Sequence, residues 1–180
     1  GELCGQGPYL EEDIALTNIA LDYLGQSSNF YKYAAQIQDL GKTEDDLAFL
    51  RLEKEYLNCQ LSELPNGDYA NTIMKVYFFS VYQKILYTEL MKSSDVQLSG
   101  IAEKSLKEVK YHYTHTSTWL KMFAGGTEES KTRVKNAVEN LWEYTGGMFA
   151  ETSGEEDLAK LEILPNGKEI QELWTKTVKE

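Results

Sequence analysis

The sequence predicts an all-α protein, and three observations carry that prediction. No stretch alternates apolar and polar residues in the manner of a half-buried strand. Only three prolines, Pro8, Pro65 and Pro165, interrupt 180 residues, a scarcity that suits long helices. Two long stretches place core-type residues in alternating steps of four and three: Ile19, Tyr23, Gln26, Phe30, Tyr33 and Ile37, then Leu98, Ala102, Ser105, Val109, His112, Thr116, Trp119 and Phe123. Stripes of that period are the seams of helices packed nearly antiparallel, crossing at roughly 20°.

The elements follow in order from their punctuation. After Pro8 a helix is expected from about Leu10 to Leu40, stopped by Gly41. Thr43 has the character of an N-cap, with Glu44, Asp45 and Asp46 suited to the positive end of a helix expected to run to about Glu63. Pro65-Asn66-Gly67 is a turn, and Asp68 caps a third helix to about Lys92. Ser94 or Asp95 starts a fourth, ending at Ala124 before Gly125-Gly126. Thr127 caps a fifth, closed by Gly146-Gly147. Residues 152–162 hold a short helix at most, and the last helix begins near Lys168. The tetrapeptide Leu-Pro-Asn-Gly occurs at 64–67 and 164–167 and reads as turn chemistry, not an internal repeat. With 42% hydrophobic residues and no linker-like stretch, residues 1–180 are expected to form one domain. The chain opens on Gly1 and closes inside a helical pattern, so both natural ends are expected to lie beyond it.

Composition narrows the function. A net charge of −11 without a basic stripe excludes a general nucleic-acid binder and disfavours an anionic membrane surface. No apolar run is long enough to span a bilayer. Cys4 and Cys59 are far apart, which argues for reduced thiols and a cytoplasmic setting. There is no Gly-x-Ser-x-Gly elbow, no Walker A loop and no dinucleotide fingerprint.

The seams carry the sharpest chemical signal. A dinuclear iron or manganese bundle places a Glu-x-x-His pair on each of two helices and a further Glu on each of two others. Here the inward pairs are Tyr23/Gln26 and Val109/His112, so one of four expected ligands survives. Val109 cannot ligate, and Tyr, Gln and Val at the centre avoid the cost of buried carboxylates without a cation. Tyr23, Gln26, Val109 and His112 are therefore read as degenerate bundle-centre positions with no metal, catalytic or cofactor role. The third helix is apolar on nearly every side, and its Tyr77, Phe78, Val81, Tyr82 and Ile85 are expected to form a subunit interface. On that reading Phe78→Asp would break assembly and leave folding intact.

At these residues the chain resembles a known family. Residues 11–26 (EEDIALTNIALDYLGQ), 45–51 (DDLAFLR), 65–68 (PNGD), 107–112 (KEVKYH) and 126–130 (GTEES) are similar to the C subunit of the phenylacetate-degradation ring epoxidase. The resemblance runs through essentially the whole chain. It implies a ferritin-like antiparallel helical bundle with extra C-terminal helices. It also implies a non-catalytic structural role beside a related catalytic A subunit, which holds the dinuclear metal, in a complex that epoxidises phenylacetyl-CoA with NADPH and O2. Flavin and iron–sulfur groups belong to a separate reductase. The partners implied are the A subunit and the other epoxidase subunits; a homodimer of the chain alone is left open by the sequence. Laid against the A subunit, Tyr23 and Gln26 stand for its first Glu and His, and Val109 for its second Glu. Only His112 is kept. The competing readings are a metal-dependent oxygenase with atypical ligands and a generic helical adaptor.

Overall fold

The computed structural model describes residues 3–150, 152 and 154–179. Helices are the only regular secondary structure among them, as the sequence predicts. The chain divides into two compact units, residues 1–58 and 59–180.

In the first unit, α1 spans Leu10–Gln38. It stops two residues earlier than expected, because Asp39 takes the left-handed conformation (φ 47°) that ends a helix, ahead of Gly41 (φ 68°). α2 spans Glu44–Phe49 behind a capping box. Thr43 Oγ1 accepts from the Asp46 N–H at 3.3 Å, and Asp46 Oδ2 accepts from the Thr43 N–H at 2.7 Å. The hydrogen bonds from Thr43, backbone first and hydroxyl second, hold the Asp46 carboxyl below its usual pKa.

The single helix expected to reach Glu63 is broken. After Phe49 come a 3-10 turn, Glu53–Glu55, and the short α3, Gln60–Glu63, which belongs to the second unit. Arg51 provides a physical reason. Its guanidinium donates to the Leu47 carbonyl (2.6 Å), the Glu55 carbonyl (3.2 Å) and the Tyr31 hydroxyl (3.0 Å). It also lies 4.3 Å from the Tyr56 ring centre. These bonds satisfy carbonyls on both sides of a bend, which a continuous helix would present elsewhere.

In the second unit, α4 spans Tyr69–Leu90, α5 Val96–Ala124, α6 Glu128–Trp142, α7 Glu155–Lys160 and α8 Gly167–Lys179, with a 3-10 turn at Thr145–Phe149. Side-chain caps set the starts of α4, α5 and α6: Asp68 accepts from Asn71 N–H, Asp95 from Gln97 and Leu98 N–H, and Thr127 from Ser130 N–H. The short connection from α4 to α5 makes them antiparallel neighbours. α4 is the central element, packing on α5, α6 and α8. Its loop to α5 is pinned from a distance: Ser93 Oγ donates to the Ile163 carbonyl (2.7 Å), and the Ser94 N–H donates to the Glu162 carbonyl (2.8 Å).

The two Leu-Pro-Asn-Gly segments serve different local purposes. At the second, Asn166 Oδ1 accepts from the Lys168 N–H (2.9 Å) and so caps α8. At the first, the helix starts two residues later behind Asp68. Gly67 is left-handed (φ 64°), and Asn66 Oδ1 accepts from Lys75 Nζ (3.1 Å). One tetrapeptide in two conformations is turn chemistry, not a structural repeat.

Candidate functional site

The four bundle-centre positions lie on two helices, and each pair is best seen on its own. On α1, Gln26 is buried and Tyr23 half-buried, with Ile19 buried on the same seam. On α5, Ser105, Val109, His112 and Thr116 form a buried stripe whose members are each at most 1% exposed. Thr116 Oγ1 donates to the His112 carbonyl at 2.7 Å, so the hydroxyl turns back on its own helix. His112 makes an edge-on contact with Tyr111, ring centres 6.3 Å apart. The stripe thus presents one imidazole, one isopropyl group and two hydroxyls. Among the described residues, no three His, Cys, Asp or Glu side chains converge in a group able to hold a metal ion. Hard divalent metals of the dinuclear class demand several carboxylates. The donor set of Tyr23, Gln26, Val109 and His112 does not fit such a centre.

Two of the five interface residues expected on α4, Phe78 and Val81, require a correction. Phe78 and Val81 are each 1% exposed and sit in the core of the second unit with Leu61, Met74, Leu141 and Trp174. The Phe78 ring meets Trp174 of α8 edge-on at 5.6 Å and Trp142 of α6 at 6.1 Å. Trp174 Nε1 also donates to the Phe78 carbonyl at 3.0 Å. The cover over α4 comes from this chain's own last helix, and neither Phe78 nor Val81 retains a surface for a partner.

Tyr77, Tyr82 and Ile85 are partly buried around the same core. Tyr77 stacks on Tyr113 of α5 with ring centres 6.0 Å apart, and Tyr82 meets Phe149 edge-on at 5.6 Å. Burial raises the phenol pKa of Tyr77 and of Tyr82, and pushes that of Tyr87 up to about 12. Tyr87 is buried, whereas Tyr77, Tyr82 and Ile85 each keep part of their surface open.

Sequence reasoning missed a different face. Leu10, Ile14, Thr17, Leu21, Leu24 and Ser28 of α1 also follow steps of four and three. This second seam lies on the opposite side of the helix from Ile19, Tyr23 and Gln26, because nine residues turn an α-helix through about 180° beyond whole turns. Its large apolar members are open: Leu10 71%, Ile14 52%, Leu21 59% and Leu24 68% exposed. The signal lies in the 4-3 spacing, but a helix with two opposite apolar seams shows almost no net amphipathicity, so the first seam hides the second.

Likeness to known proteins adds to this geometry. The sequence matches the family described as phenylacetic acid catabolic protein over residues 1–180. It is 44% identical over 149 residues to the C subunit of 1,2-phenylacetyl-CoA epoxidase from Escherichia coli K12. The aligned region covers 83% of this chain and 60% of the length of that protein.

Proposed function

The chain belongs to the phenylacetic acid catabolic protein family, and on that premise we propose that it is the non-catalytic structural C subunit of a phenylacetyl-CoA epoxidase. In this reading it supports a separate catalytic A subunit that carries the dinuclear metal, and it binds no metal or cofactor itself. The other epoxidase subunits are further partners, electrons arrive through a flavin and iron–sulfur reductase, and the complex works in the cytoplasm. The observation that carries the reading is Val109, fully buried on the α5 stripe one turn before His112, where a metal ligand would have to stand. Similarity to a protein named as part of an epoxidase supports the assembly half of the proposal. Among the described residues no helix is long and apolar enough to cross a membrane.

A scaffold raises turnover by fixing the geometry of a neighbouring site, since small misplacements of reacting groups are costly in rate. His112 discriminates this role from catalysis. In a complex reconstituted from full-length subunits, His112→Asn in this chain is expected to leave turnover within about twofold of the unmodified complex. A loss of about 100-fold or more, of the size seen when a metal's surroundings are disrupted, would overturn the scaffold reading in favour of a metal-dependent oxygenase with atypical ligands.

A further inference from the structure

We propose that the exposed seam of α1, formed by Leu10, Ile14, Leu21 and Leu24, is a docking surface for an apolar, basic-flanked helix of a partner protein chain. The inference rests on the proposed role as a subunit and locates the surface through which that role is exercised.

Period is the first support. Steps of four and three along Leu10, Ile14, Thr17, Leu21, Leu24 and Ser28 match what a second helix needs to run alongside at a shallow angle. A membrane or a small ligand imposes no such period.

Continuity is the second. Within residues 1–58 the same face is already a packing face near its C-terminal end. There Tyr31 receives the Arg51 guanidinium at 3.0 Å, and Lys32 pairs with Glu44 at 3.6 Å. The chain thus partly covers this face itself at Tyr31, while Leu10, Ile14, Leu21 and Leu24 stay open.

Concentration is the third. Beyond the four seam residues, Phe49, Leu50, Leu52 and Leu57 of the same unit are 62–85% exposed, whereas the larger second unit has few apolar side chains that open. Exposed apolar surface gathered in one region marks an interaction site.

Charge selects the occupant. Residues 1–58 carry eleven acidic side chains against four basic ones, a net −7. Glu11 and Asp13 flank the open seam on its two sides. A second copy of this chain would bring an equally acidic surface against it, and like charges across an interface oppose association. A partner helix with lysines or arginines beside an apolar stripe meets both requirements.

The test uses the full-length protein and the full-length catalytic subunit, with affinity measured at low and high salt. The double variant Leu21→Asp/Leu24→Asp is expected to keep its helical content and a Tm within about 3 °C of the parent, since both side chains already face water. It is expected to bind the catalytic subunit at least about 100-fold more weakly. Val96→Asp, at a site 85% exposed in the other unit, should leave affinity unchanged. Affinity of the parent should fall as salt rises. Unaltered binding by the double variant overturns the docking surface alone. A large fall in Tm of the isolated double variant overturns it differently, by showing that a segment of the same polypeptide covers the seam. If the unmodified protein does not bind the catalytic subunit, the functional reading fails and the docking surface fails with it.

Discussion

Phe78→Asp is expected to unfold residues 59–180 instead of merely blocking assembly. Phe78 lies among Met74, Val81, Leu141 and Trp174 and is 1% exposed. Truncating a core phenylalanine costs about 3–5 kcal/mol through lost transfer energy and the cavity left behind. A carboxylate in its place adds a desolvation penalty of several kcal/mol more. Domains of this size hold only about 5–15 kcal/mol of net stability, so the two costs together exhaust it. Far-ultraviolet circular dichroism of the purified variant should show lost helix, and limited proteolysis should cut α4 and α5. A folded Phe78→Asp protein that fails only in assembly would restore the α4 interface.

Trp174→Ala carries the second largest expected effect, a loss of about 3–5 kcal/mol. This indole touches Phe78, Trp142 and Phe149 at ring-centre distances of 5.4–5.7 Å, and its N–H is bonded to the Phe78 carbonyl. Removing it frees α8 from the rest of the unit and opens the α4 face to water. Trp174→Phe keeps most of the apolar contact and loses the hydrogen bond, for a cost of about 1 kcal/mol. Urea unfolding followed by circular dichroism gives both values from shifts in midpoint. Equal midpoints for Trp174→Ala and the parent would show that α8 does not hold the core.

These two sites also mark the limit of what local sequence encodes. The all-apolar character of α4 is plain in the sequence, and so is the need for something to cover it. The cover is not legible, because Ile170 and Trp174 sit in a short helix with no local mark of its packing partner. Tertiary contact between residues 96 positions apart, such as Trp174 with Phe78, leaves no trace in local periodicity. A foreign subunit is the simpler expectation, and at Phe78 and Val81 the chain's own last helix takes that place. The break after Phe49 is hidden for a related reason. Nothing in Leu50-Arg51-Leu52 forbids a helix, and the bend is held by a guanidinium reaching Tyr31, twenty residues back. By contrast, the caps at Thr43, Asp68, Asp95 and Thr127 are all legible, because capping depends on residues within three positions of one another.

The bundle-centre positions are legible as residue types and only partly as geometry. Burial of Gln26, Val109 and His112 follows from the 4-3 spacing and is what each helix shows. The second seam on α1 obeys the same rule, and period alone does not say which of two seams is covered. Its four exposed apolar residues are the part of the proposed functional surface that accessibility brings to light.

The central claim is that this chain supports an oxygenase without holding its metal. The measurement that tests it most directly is the metal content of the purified full-length protein, alone and after loading with iron or manganese. The account predicts less than about a tenth of an equivalent per chain, because a dinuclear carboxylate centre cannot be assembled from Tyr23, Gln26, Val109 and His112. One to two equivalents, about the complement of a dinuclear centre, that disappear with His112→Ala would contradict it and make this chain a catalyst in its own right.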